Sequence, residues 1–414
     1  MSNPVPSQPL PVRTRNLLLA LLSASIAINL VDRQVLSVVA PVMRGELGFS
    51  NTDYAYIVCA FQLGMLLGQI PAGALMDRVG TRLGLTLALI AWSVFNTAHA
   101  AAASLAGFVA LRLLMGLAEC GNYSGGIKTI AGIFPSGQRA FAGGIFNAGA
   151  QLGAVIAPPL IVAITMASGW RMSFVVPSLF GILWLIPWLR VYPKERAGFQ
   201  AQQPGESQHR IADLTRNRQV IGLFLLRALS GPLVSFYWYW LPEYLKTGRN
   251  MSFVMIGLLA WLPYVFGSLG NLAGGFVSDR LASRFSLDRA RKVGFTAGSL
   301  LSALSMTLPL LTNDYLAVAT ICLVVFGNNC VAATYIATVG DMFPAQVVGR
   351  VNGIAGAGDS AAGMITMLLT GMVVDRMSYG PVFVAAGILP LLALASVFLV
   401  VRRIEPVTLT FQNG

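Results

Sequence analysis

Gly73-Ala74-Leu75-Met76-Asp77-Arg78-Val79-Gly80-Thr81-Arg82 closes one long apolar run and leads straight into the next. An aspartate, two arginines and a turn-forming glycine in so short a space read as a polar turn at a water surface between two apolar helices. The pattern recurs. Gly275-x3-Asp279-Arg280 ends a later apolar run, and the two aspartates stand 279 − 77 = 202 residues apart, about half of the 414-residue chain. Self-similarity at so long a spacing is the mark of a duplicated unit. A third occurrence, Gly371-x3-Asp375-Arg376, falls on the opposite side of the membrane by the order of the runs.

Outward from that turn the chain is 56% hydrophobic and only 11% charged, where a soluble domain carries roughly 25% charged residues. Apolar runs recur from Asn16 to Val401, most of them at least the roughly 20 residues that cross a bilayer. Helices are expected near 16–40, 53–76, 83–101, 106–133, 141–167, 173–191, 217–244, 252–277, 293–312, 314–341, 351–375 and 380–401. The predicted fold class is an all-α polytopic membrane protein with twelve transmembrane helices. An N-terminal six-helix half (1–191) precedes a polar cytoplasmic linker (192–216) and a C-terminal six-helix half (217–414).

The net charge of +12 would suggest nucleic acid in a soluble protein. Here most of the Lys and Arg fall on the side shared by the two termini, in clusters at Arg190–Arg218 and Arg280–Lys292. By the positive-inside rule that side is the cytoplasm, so the basic balance signals topology, and the expected location is a bacterial inner membrane. Cys59, Cys120, Cys322 and Cys330 all lie within apolar runs and form neither a metal motif nor a disulfide framework. No removable signal peptide, cofactor or metal is expected, and no catalytic constellation points to an enzyme.

A charge at mid-bilayer costs roughly 2.5–3.5 kcal/mol, so intramembrane charges are functional candidates. They are Asp32 and Arg33 in the first helix, Arg112, Glu119 and Lys128 in the fourth, Arg227 in the seventh and Asp359 in the eleventh. Arg112, Gly116, Glu119 and Tyr123 share one helical face, which should look onto a cavity. Arg112 reads equally as a structural ion pair and as part of transport. Asp32 and Arg33 point about 100° apart and do not face each other. Arg33 is therefore expected to pair across helices, with Glu119, and its guanidinium suits a carboxylate substrate. Asn29 lies one turn before it. Tyr237, Trp240 and Trp261 offer aromatic faces to a sugar ring, although such residues also gather at membrane interfaces. Asn328 and Asn329 are amide candidates. Asp359 follows Gly356-Ala357-Gly358 and reads as a holder of a substrate hydroxyl, a proton carrier or a cation ligand.

The Gly-x3-Asp-Arg-x-Gly turn with its following arginine resembles the signature of the major facilitator superfamily, as does the six-plus-six arrangement. That resemblance implies two halves that alternately expose a midplane site, a monomer, and a cytoplasmic gate built on Asp77, Arg78 and Arg82 with Asp279 and Arg280. A narrower set is similar to the anion:cation symporters of that superfamily, nearest in look to bacterial hexuronate transporters. It comprises Asp32-Arg33, Ala118-Glu119-Cys120-Gly121-Asn122-Tyr123, Phe134-Pro135 with Arg139, Gly144-Ile145-Phe146-Asn147-Ala148-Gly149, Arg227, and Ala260-Trp261-Leu262-Pro263. The family implies proton-driven import of a small organic anion, a hexuronate or related sugar acid, with Arg33 on substrate and Asp32 and Glu119 as proton carriers. Met65 departs from the tyrosine of many sugar-acid members. Another carboxylate (aldonate, dicarboxylate or aromatic acid) is the nearest alternative. A drug/proton antiporter ranks below it, since Gly149, Gly153 and Ala157-Pro158-Pro159 do not meet the exporter signature, and a transporter-fold nutrient sensor is the alternative from another class.

Overall fold

The computed structural model describes residues 10–193 and 214–407, so most of the linker expected at 192–216 lies outside the described residues. The described residues are helical nearly throughout. The first six crossings come from α1 (Val12–Leu47), α2 (Asn51–Ala98), α3 (Leu105–Ile133), α4 (Ser136–Ser168) and α5 (Met172–Val191). The next six are α6 (Arg218–Glu243), α7 (Phe253–Leu259) with α8 (Leu262–Ala282), α9 (Leu287–Ala303), α10 (Asp314–Met342), α11 (Ala345–Arg376) and α12 (Gly380–Ser396). Eleven segments are long and apolar enough to span a membrane, and the first arm of α2 supplies the twelfth crossing.

Local chemistry explains the breaks. α2 is two helices joined at Gly80, whose φ of 78° and ψ of 160° are not helical and belong to a region open essentially to glycine alone. Gly80, which follows the Gly-x3-Asp-Arg repeat and has Ala282 in the matching place of the second occurrence, is thus a stereochemical requirement of this turn alone. Pro263, in the first turn of α8, separates it from α7. Side-chain caps start several helices: Ser104 accepts from Gly107 N, Asn217 from Gln219 N and Val220 N, and Asn313 from Leu316 N.

The chain divides into two compact units. The first holds the chain up to Leu47 and from Ile57 into the linker; the second holds Gly48–Tyr56 and everything after the linker. The first two turns of α2 therefore belong with the later helices. Asp375 of α11 accepts from the backbone and side chains of Asn51 and Thr52 at 2.6–2.9 Å, and Tyr54 donates to Tyr239 O at 2.6 Å.

Packing repeats in both units. A Cβ on Gly64 or Gly68 of α2 would strike the α3 backbone, and one on Gly270 or Gly274 of α8 would strike that of α10. Small residues let membrane helices approach closely enough for dispersion to hold them. Large apolar side chains are exposed, with Leu272, Phe276 and Ile336 about two-thirds exposed or more (71%, 66% and 67%). Polar side chains such as Asp32, Arg112, Glu119 and Asn328 are buried. This inverts the soluble pattern and fits a hydrocarbon surround.

Candidate functional site

In the first unit the pivot is the adjacent pair on α1. Helical geometry sends their side chains to different neighbours. Arg33 turns toward α3, where its Nε and Nη2 donate to Glu119 Oε2 at 3.0 and 2.8 Å. Nη2 also lies 3.4 Å from Asn29 Oδ1, and the guanidinium sits 5.2 Å from the Phe61 ring centroid. Asp32 turns toward the second arm of α2 and accepts from Trp92 Nε1 at 3.2 Å and Asn96 Nδ2 at 2.9 Å. Asn96 in turn faces Phe174 O and Ser178 Oγ of α5.

Burial separates the roles open to these groups. The Glu119 side chain is wholly buried and that of Arg33 is 21% exposed; Asp32 is wholly buried. Of the two partners of this pair, only the guanidinium is partly accessible. Arg112 is buried and lies 5.7 Å from the same ring, with Nη1 3.9 Å from Met115 Sδ. Met65, at the position of the departure noted above, touches both Arg33 and Cys120 through its sulfur. The α3 face expected to look onto a cavity is mixed. Gly116 packs tightly on Phe61 and Met65, Arg112 and Glu119 are buried, and Tyr123 is exposed beside Phe146.

The second unit carries its own intramembrane pair, Arg227 of α6 with Asp359 of α11. The guanidinium lies 5.4 Å from the Tyr335 ring, and Tyr335 donates to Asn352 at 2.9 Å. Gly231, one turn along α6, faces this pair, and a Cβ there would require the Asp359 carboxylate to shift. The other candidates sit deeper in packing. Tyr237 shares a hydrogen bond with Ser305 at 3.0 Å among Phe236 and Phe383. Trp240 is fully buried, edge-on to Tyr54. Asn328 donates to Ser230 O, and Asn329 bridges Val325 O and Asn271. Trp261 precedes α8 and is partly exposed.

At the repeated turns, Asp77 pairs with Lys128 of α3, Arg82 donates to Leu189 O at 2.7 Å, and Arg78 is exposed. Asp279 meets Arg291 of α9 at 3.0 Å; Arg291 also holds Asp341 of α10 at 2.8 Å, and Arg280 is exposed. Each turn aspartate is bound by a base from a neighbouring helix, and the arginine that follows it is left in solvent.

Sequence reasoning did not single out Phe61, Trp92, Asn96, Tyr335 or Arg291. Trp92 and Asn96 stand one turn apart, a spacing that places both on one face, and this was the available signal.

The sequence matches the family described as Major Facilitator Superfamily over residues 22–287 and 286–414. It is 27% identical over 404 residues to the hexuronate transporter of Escherichia coli (strain K12), covering 93% of this chain and 94% of that one. It is 30% identical over 391 residues to the hexuronate transporter of Bacillus subtilis (strain 168), covering 91% and 92%. A probable galactarate/D-glucarate transporter of Bacillus subtilis (strain 168) is 29% identical over 418 residues, covering 94% and 92%. Among solved structures, a bacterial homolog of the human lysosomal transporter Spinster, in an inward-facing and occupied conformation, superposes with a TM-score of 0.80 at 18% identity, covering 95% and 98%. A D-xylose-proton symporter superposes at 0.73 and 16% identity, covering 94% and 98%. At such identities these two speak for the fold alone.

Proposed function

The chain belongs to the Major Facilitator Superfamily and is a multi-pass membrane transporter, not an enzyme, and we propose that it imports a sugar acid, a hexuronate or close relative, together with protons. The observation that carries this reading is the Arg33–Glu119 pair, a partly exposed guanidinium over a wholly buried carboxylate. The likeness to hexuronate and galactarate transporters supports the substrate class.

Coupling follows from competition for one positive charge. In the empty site Arg33 neutralises Glu119. An incoming substrate carboxylate takes the guanidinium bidentately, and Glu119 is left buried without its hydrogen-bonded partner. An uncompensated buried charge costs several kcal/mol, so Glu119 binds a proton. Asp32, held by Trp92 and Asn96, is the second proton carrier, and Arg112 with Phe61 keeps the guanidinium side of the site positive. The neutralised site then passes through alternating access and releases both ligands to the cytoplasm, the side of both termini. Asp359 is the residue proposed to hold a substrate hydroxyl. A monovalent anion entering a negative interior works against about 2.3 kcal/mol per 100 mV. One proton makes the cycle electroneutral, and a second makes the voltage assist.

The test is uptake into proteoliposomes of purified protein, with glucuronate, galacturonate and galactonate offered beside simple dicarboxylates. The expected result is external alkalinisation on adding a hexuronate, absent from Arg33→Ala. A signal with another carboxylate alone would replace the substrate and keep the mechanism. Silence with every anion would overturn the site.

A further inference from the structure

We propose that the start of α9 forms a binding site for one anionic glycerophospholipid, held by a basic mouth and an apolar groove on the membrane face of the second unit. The proposal rests on the membrane fold and not on the identity of the transported solute.

α9 divides its faces sharply. Arg291, Phe295, Gly298, Ser299 and Ser302 are buried against neighbouring helices, and Arg291 is neutralised there by Asp279 and Asp341. The opposite face, Arg289, Val293, Thr296 and Leu300, lines a cavity of ≈ 640 Å³. Phe285, after α8, and Phe398, after α12, also line it. Val293, Leu300, Phe285 and Phe398 are all about half exposed, at 52%, 56%, 56% and 46%. They form an apolar channel along the first turns of α9.

The mouth is cationic. Lys292 lies 5.5 Å from the Phe398 ring and donates to Asp288 at 2.8 Å and to Arg402 O at 2.6 Å. An ammonium has three donors, so one remains for a ligand. Arg289 is exposed and makes no hydrogen bond or ion pair among the described residues. The first turn of a membrane span sits at head-group depth, where basic pockets between helices capture acidic head groups. A fixed ammonium, a free guanidinium and an apolar channel match an amphiphile with a phosphate head and acyl tails. A sugar acid has no part that fits the channel, and a zwitterionic lipid brings no net charge to the mouth. Bound there, the lipid braces the ends of α8, α9 and α12 beside the Asp279–Arg291–Asp341 cluster.

The experiment is native mass spectrometry of the full chain in neutral detergent, titrated with dioleoyl phosphatidylglycerol or dioleoyl phosphatidylcholine. The wild type should bind the anionic lipid in preference. Arg289→Gln should weaken that binding about fivefold, from ~1 kcal/mol per basic side chain, and leave phosphatidylcholine unchanged. Arg289→Gln/Lys292→Gln should weaken it further, and Ala297→Trp, which fills the groove, should reduce both lipids. Lys292 has internal bonds whose loss affects folding, so Arg289→Gln, which breaks none, is decisive. Unchanged phosphatidylglycerol binding in that variant overturns the proposal. So does full competition by glycerol 3-phosphate, which would mark a simple anion site with no part for the acyl tails.

Discussion

Among the described residues, each unit holds a guanidinium–carboxylate pair within its membrane-spanning helices, and the two pairs differ in their exposure. In the first, Glu119 is wholly buried and Arg33 alone is partly open. In the second, Arg227 and Asp359 are open to a similar degree, 25% and 22%. The difference teaches which pair can couple ions. When an arginine is drawn away from a buried carboxylate, a proton is the available remedy, because desolvation penalises the bare charge. When the carboxylate is itself accessible, water or a substrate hydroxyl can take the place of the arginine. On the proposed function, the first pair is the one for coupling and the second the one for recognition.

Four substitutions test that contrast, in falling order of effect. Arg33→Gln strands Glu119, so substrate uptake should fall at least about 100-fold and thermal stability by roughly 3 kcal/mol. The double variant Arg33→Gln/Glu119→Gln should regain most of the stability in a melting experiment and none of the uptake. Glu119→Gln alone should abolish accumulation against a gradient while counterflow exchange persists within a few-fold of wild type. Accumulation by that variant would remove Glu119 from the coupling role. Gly231→Ala makes the Asp359 carboxylate shift on its side chain, so the cost should stay at the low end for overpacking, about 1 kcal/mol, read as a slightly lower melting temperature and weaker uptake. Asp359→Asn should be mildest in stability, about 1 kcal/mol or less for a partly solvated pair. Its signature is a several-fold rise in KM with an unchanged proton-to-substrate ratio from reversal potentials. A changed ratio would move Asp359 from recognition to coupling.

The turns at Asp77 and Asp279 show a second contrast. The first aspartate has one base, Lys128, whereas the second shares Arg291 with Asp341 and Ser278. The repeat is therefore closer in backbone than in side chains. The glycines that allow α2 to meet α3 and α8 to meet α10 are retained, while the ionic contacts have diverged.

Much of this was legible in advance. Hydropathy located the crossings, the repeated turn announced two halves, and the cost of intramembrane charge singled out Asp32, Arg33, Arg112, Glu119, Arg227 and Asp359. The diverging directions of Asp32 and Arg33 followed from helical geometry, as did the search for a partner to Arg33 on another helix. The partners of Asp32 were not legible, because Trp92 and Asn96 are single polar groups in an apolar helix and no charge marks them. Nor was the burial of Tyr237 and Trp240, since an aromatic run reads alike in a core, at an interface and in a cavity.

The sequence by itself determined the membrane class, the six-plus-six plan and the residues whose charge needs a reason. These are properties of composition and period along one chain, and the bilayer enforces them on each helix separately. Only the tertiary structure decided which charges meet. Arg33 and Glu119 stand 86 residues apart, and Arg227 and Asp359 stand 132 apart. Each pairing depends on the rotation and depth of two helices set by glycine contacts and side-chain packing. The same structure decided that Glu119 is sealed while Asp359 is open, because burial is a property of the surrounding helices and no residue carries it alone.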